Sequence, residues 1–242
     1  MSLPIITNSD IQKRNPYCFL IYSDNILESI NILDLLAKNN PFLQIIGVSY
    51  EPIDQPIYLF KEQKNRKHIC IKVLGRYENW NLPLEISDLI NFIDKPDFVI
   101  VDEEKNKEVF VGETTGTANV GNSQWQREGR KISAALKRIP MIYQTYYSGT
   151  DRSMFSREEI DKGEAQGQVR QPTSLQVINH FIYSFRYRVP SCVVYYPNPE
   201  YDSLIGFDRS KTKGKRLLRD YISVCLLDSI EGTYKRSKKE IE

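Results

Sequence analysis

Apolar positions along the chain fall into short runs and spaced sets, and their spacing separates helices from strands. Ile26, Ile30, Leu33 and Ala37 recur at helical intervals behind a Ser23-Asp24 start that can cap them, so Asn25 to Lys38 is predicted to be an amphipathic helix. Three strand-like runs follow between Gln44 and Gly75: QIIGVSY, PIYLF and HICIKVLG, parted by proline turns and the basic segment KEQKNRK. Antiparallel pairing suits them, with the register open. Pro83 to Asp94 reads as a short helix that stops before Pro96. Asp97 to Asp102 (DFVIVD) is apolar on both alternations, the pattern of a strand covered on both faces. A polar turn, EEKNK, leads to a second strand, Glu108 to Thr115, and together they predict a hairpin.

Gly116 to Asn122 reads as a loop, and Ser123 with Gln126 has the form of a capping box opening a helix to about Arg138. Trp125, Gly129, Ile132 and Leu136 form its apolar stripe, with Trp125 a core residue rather than a base-stacking one. Pro140 to Tyr147 is the next strand. Ser148 to Pro172 is polar and lacks periodicity, which predicts a long mobile loop. A helix (Thr173 to Arg186), a strand (Pro190 to Tyr196) and a final helix (Lys215 to Ile230) precede a charged tail, and no internal repeat is present. The fold class expected is α/β, a central mixed sheet flanked by helices. With 242 residues the chain suits one domain, its core at about 25–147 plus 173–230, with 148–172 a loop and 231–242 a charged tail.

Composition narrows the chemistry. No apolar run is long enough to cross a bilayer and no secretory leader is visible, so the expected location is the cytosol. Cys18, Cys70, Cys192 and Cys225 are scattered in apolar stretches, none at CxxC spacing, and are expected to be buried reduced thiols. Two histidines, His68 and His180, are too few and too isolated for a histidine-ligated zinc site or a Ser-His-Asp hydrolase. The segment GETTGT lacks the ending of a phosphate-binding Walker loop, and no GxGxxG occurs. Net charge is only +2, yet its distribution is uneven. Six basic residues and no acid lie from Arg209 to Arg219, while acids gather between Glu78 and Glu113.

The hairpin gives the acids a geometry. If it closes symmetrically about Lys105, Asp102 faces Glu108 and Asp97 faces Glu113, with Cβ atoms about 4.5 to 5.5 Å apart. Two carboxylates that close need a shared proton or a cation, and oxygen-only ligands favour Mg²⁺ or Mn²⁺. Thr115 projects to the same face as Glu113. Asp102, with Glu103 and Glu104, is otherwise simply a solvated turn.

Pro96-Asp97, an apolar strand, a polar turn, a second strand and Glu113-Thr114-Thr115 resemble the PD-(D/E)XK nuclease superfamily, over about Asn25 to Tyr147. The resemblance implies a restriction-endonuclease-like core with a catalytic hairpin, in which Asp97 and Glu113 hold Mg²⁺. Thr115 stands where that family places a lysine, and a hydroxyl cannot supply the charge of an ammonium. Lys131, on the following helix, could deliver a migrated ammonium, although a solvated helix lysine is the simpler reading. Gln124 and Glu128 share its stripe, Glu128 could add a ligand, and Gln144 could contact substrate or metal-bound water. Glu28 or Glu85 could supply an upstream acid, each being more simply a helix-surface carboxylate.

The activity expected is a Mg²⁺-dependent DNA endonuclease of restriction or defence type, an analogy of fold rather than of site. Arg152, Arg157 and Arg170 in the long loop, with Lys211, Lys213, Lys215 and Arg216, would contact the DNA backbone. Three readings stay open beside it: a catalytically inactive DNA-binding or assembly module, a small-molecule enzyme using the same acids, and, for the basic segment, a merely solvated helix face. A homodimer or larger assembly is compatible with each.

Overall fold

The computed structural model describes residues 3–76, 95–115, 122–146, 149–150, 158, 162, 169–170, 174–196 and 204–233. The predicted helix at Pro83 to Asp94, the Gly116 to Asn122 loop apart from Asn122 itself, and the tail beyond residue 233 lie outside them. Strands β1 (Tyr17–Ser23), β2 (Leu43–Ser49), β3 (Ile57–Glu62), β4 (His68–Arg76), β5 (Phe98–Asp102), β6 (Lys107–Thr115), β7 (Met141–Tyr146) and β10 (Ser191–Tyr196) form one sheet in the order β10-β7-β6-β5-β1-β4-β3-β2. The helices are α1 (Asn8–Gln12), α2 (Ile26–Ala37), α3 (Asn122–Leu136), α4 (Ser174–Tyr187) and α5 (Leu204–Glu231). The fold is therefore α/β, a mixed eight-stranded sheet flanked by helices. Among the described residues no helix is long and apolar enough to cross a membrane.

Parallel pairs β1/β4, β6/β7 and β7/β10 alternate with antiparallel β1/β5, β5/β6, β2/β3 and β3/β4. Consequently β1, β4, β6, β7 and β10 all end at one edge of the sheet, where β5 begins. Every residue of β5 is buried, as its double-sided apolar pattern requires. One face carries Phe19, Ile21, Phe98, Ile100, Phe110 and Ile142 against Leu33 and Leu36 of α2 and Leu218, Tyr221 and Ile222 of α5. The other carries Tyr22, Val99, Val101, Val111, Met141 and Tyr143 against Ala134 of α3.

Several local expectations change. Asn25, not Ser23 or Asp24, caps α2, its side chain accepting from Leu27 N at 3.0 Å. Ser23 is buried and donates to Asn25 O instead. The final helix begins at Leu204, not Lys215, so the whole basic segment lies within α5 and not only its part from Lys215 onward. The long loop is drawn together near its ends, where β8 (Gly149–Thr150) pairs with β9 (Val169–Arg170). Cys18 and Cys70 are not free thiols: the β1/β4 register sets them directly opposite, Cα atoms 4.8 Å apart, and they are disulfide-bonded. Cys225 is a buried free thiol, as expected.

The predicted stripe of α3 is not its buried one. Leu136 is half exposed, whereas Lys131, Ser133, Ala134 and Ala135 are buried. The reason lies in the sheet beneath, which presents Glu108 and Glu113 to this helix: Lys137 Nζ stands 3.8 Å from Glu108 Oε1, and Arg130 is ion-paired with Glu113. Buried carboxylates demand cations, and that demand outweighs exposing one leucine.

The β5/β6 hairpin matches the symmetric register only in part. Phe98↔Gly112, Val99↔Val111 and Ile100↔Phe110 follow it, but Val109 is then an extra residue, so Val101 faces Glu108 and Asp102 faces Lys107. Asp102 and Glu108 are thus not a carboxylate pair. Nor is Asp102 solvated: it is wholly buried and accepts from Tyr17 Oη at 2.9 and 2.8 Å, Lys105 N at 3.0 Å and Ser229 Oγ of α5 at 2.8 Å.

Opposite Phe98 only glycine fits. A Cβ built on Gly112 would stand 2.0 Å from Phe98 Cε1, inside a ring packed on Phe110. Gly112→Ala is expected to lose about 1–3 kcal/mol of stability in a denaturant titration, the cost of overpacking. Adding Phe98→Leu should restore part of it, and a fully stable G112A protein would contradict this close approach.

Candidate active site

The hairpin's register, carried one residue beyond Phe98↔Gly112, sets Asp97 opposite Glu113 at the edge where the parallel strands end. In open α/β sheets that edge is where ligands bind. Two backbone contacts fix Asp97 there. Thr114 N donates to its Oδ2 at 2.5 Å, and its carbonyl accepts from Asp24 N at 3.1 Å, joining β5 to the entry of α2. The first contact holds the carboxyl against the end of β6.

Glu113 is 2% exposed, and its carboxyl is ion-paired with the Arg130 guanidinium. On the adjacent strand Tyr143 is its register partner, and the Lys131 ammonium lies 4.8 Å from the centre of the Tyr143 ring. Lys131 is 6% exposed, so the reading as a solvated helix lysine does not hold. Its aliphatic stem is buried and its charge rests on an aromatic face. Asp97, Glu113 and Lys131 are thereby brought to the same edge and the same side of the sheet.

Glu28 joins them from the first turn of α2. Burial first, and then the negative charge of Asp97, push its carboxyl above the ordinary glutamate range, with Asp24 adding to the rise and a backbone bond at Asn25 opposing it. Its Oε2 is buried and accepts no hydrogen bond. Glu28 is therefore more than a helix-surface carboxylate. The signal in the sequence was an acid in the turn directly after a strand, but nothing there said that this strand ends beside Asp97. Arg130 was missed altogether.

Other candidates are not gathered here. Gln144 is buried on the opposite side, with Nε2 3.3 Å from Gly214 O of α5, so it tethers that helix to β7. Thr115 is the last residue of β6, paired with Thr145, and Gln124 and Glu128 lie in α3, but the side chains of all three fall outside the described residues. Glu85, Arg152 and Arg157 also lie outside. Arg170 is placed in β9 and Lys211 in α5 by their backbones alone, while Lys213, Lys215 and Arg216 are exposed on α5.

Among the described residues no three His, Cys, Asp or Glu side chains converge as a metal cage. What converges is two opposed carboxylates with a third acid sensing one of them. Comparison with protein-family models, curated proteins and solved structures finds no match.

Glu28 offers a direct check. The folded protein holds its proton more tightly than the unfolded chain, so its ionisation costs stability as pH rises above the ordinary value of 4.5. Glu28→Gln is expected to melt higher than the parent at neutral pH, with the difference vanishing as pH falls below that value. Melting curves of the two proteins that coincide at pH 7 would remove Glu28 from the cluster.

Proposed function

We propose that this chain is a divalent-cation-dependent endodeoxyribonuclease of restriction or defence type, built on a restriction-endonuclease-like core. The observation that carries the reading is the placement of Asp97 opposite Glu113 at the strand-end edge, with a β6-α3-β7 crossover delivering basic residues to the same side. A helix, a hairpin, a helix and a parallel strand in this order support the core assignment.

The donor set suits Mg²⁺ or Mn²⁺. It is made only of carboxylate oxygens, and Glu28 Oε2 is buried without a hydrogen bond. Mg²⁺ commonly uses one or two carboxylates with waters and substrate phosphates rather than a full protein cage. Asp97 and Glu113 would hold the ion, with Glu28 beside Asp97. Such an ion lowers the pKa of a bound water and offsets charge on a scissile phosphate.

The chain's own residues do the rest. Thr114 N orients Asp97, Arg130 orients Glu113 and offsets its charge, and Lys131 supplies the positive charge that Thr115 cannot. The exposed Lys213, Lys215 and Arg216 of α5 attract the phosphate backbone. One observation favours a second reading: with Glu113 already neutralised by Arg130, and threonine in the lysine position, the same fold serves as a DNA-binding or assembly module without cleavage.

Plasmid and oligonucleotides of varied sequence and modification, incubated with Mg²⁺ or Mn²⁺, separate the two. Cleavage is expected, and Asp97→Ala or Glu113→Ala should reduce it by more than about a hundredfold, the scale of a lost charge-stabilising group. Lys131→Arg should retain more activity than Lys131→Met. Cutting that survives both acid substitutions would overturn the site, and binding with no cutting under any condition would establish the module.

A further inference from the structure

A second charged feature lies away from the acids. Leu35, Lys38 and Asn39, at the C-terminal end of α2, and Lys215, Arg216 and Arg219 of α5 line an open cavity of about 400 Å³. Four of these six residues are cationic and none is acidic. Glu28 and Lys38 stand ten residues apart on one helix, about 15 Å along its axis, so the cavity is distinct from the candidate active site.

The walls are fixed by contacts that leave the cavity's cations available. Arg219 is nearly buried, donating from Nη1 to Lys38 O at 2.9 Å and from Nε to Asp220 Oδ1 at 2.7 Å. Its guanidinium thus offsets the negative pole at the end of α2. Below it Asn40 ties the same turn to α5, donating to Ser223 Oγ at 2.8 Å and to Leu36 O at 3.0 Å. Asp34, one turn before Lys38, accepts the Tyr58 hydroxyl. Lys38, Lys215 and Arg216 are exposed and form no ion pair among the described residues. Three like charges around one anchored hollow repel one another until an anion enters. Two flexible ammonium groups and one guanidinium fork match the oxygens of a phosphate.

We propose that this cavity is a phosphate-binding site, in which Lys38, Lys215 and Arg216 seat one phosphate group and Arg219 holds the wall. The phosphate is either one group of a nucleic-acid backbone or that of a free phosphorylated ligand. Only the backbone source rests on the nucleic-acid reading above.

Two measurements on the full chain test it. In the first, thermal unfolding is followed with inorganic phosphate against chloride at equal ionic strength. Phosphate is expected to raise the midpoint of the parent and not of the Lys38→Ala/Lys215→Ala/Arg216→Ala variant. In the second, the affinity for a labelled duplex is measured against salt without divalent cations. One phosphate held by all three residues predicts a salt slope shallower by about 0.9 in the variant, whereas three separate contacts predict about 2.7. A phosphate response with an unchanged slope supports the site and assigns it to a free ligand. No phosphate response, or one the variant keeps, overturns it, as does a slope change near 2.7. Asp97→Ala protein, whatever its cleavage, should respond to phosphate like the parent, so failure of the nuclease reading remains separable.

Discussion

β5 and β6 differ by one residue in the length they contribute to their pairing, and the position of that extra residue, Val109, decides which acidic side chains meet. On the site side of the bulge the strands keep the register that opposes Asp97 to Glu113. On the turn side the register slips by one, so Asp102 and Glu108 are parted. Glu108 turns toward Lys137, just past the end of α3, and Asp102 toward donors from β1, the turn and α5. Like charges are therefore kept together only at the edge where a ligand could reach them, and are dispersed to separate partners where none could.

This arrangement explains which parts were legible in the sequence. Seven of the eight strands of the large sheet were, because burial on both faces of β5 and alternation elsewhere leave a direct record in residue type, whereas β1 was not anticipated. The opposition of Asp97 to Glu113 was also anticipated, although the turn by itself sets a register one residue off and the Val109 bulge restores it. The bulge was not, because Val109 is an ordinary strand residue whose role depends on Glu108 finding Lys137. The inner face of α3 was misread for a related reason. Pattern rules send Arg130 and Lys131 to water, and only the carboxylates and the Tyr143 ring beneath them reverse that. The Cys18–Cys70 bond was hidden because it depends on β1 lying parallel beside β4, a neighbourhood that no local spacing records.

The uneven charge noted in the sequence resolves into two separate systems. Acids and their countercharges occupy the edge between α2 and α3, with Lys131 buried and Arg130 partly buried against the sheet. The exposed cations of α5 stand on the other face, where Gln144 of β7 reaches Gly214 O of that helix. Among the described residues the first set is partly buried and paired within itself, whereas the second is exposed and extends its field into solvent.

The Asp102 contact has a consequence for the order in which the protein is assembled. The turn end of the hairpin buries a carboxylate that takes one of its donors, Ser229, from a helix made much later in synthesis. Until α5 emerges and docks, that strand pair must either leave the Asp102 carboxyl short of a partner or keep it in water, and both leave the turn loose. The opposite end of the same pair carries Asp97 and Glu113. Docking of α5 thus completes the donor set of a buried carboxylate on the same strand pair, so the hairpin that carries the acids is closed at its turn end by the last described helix.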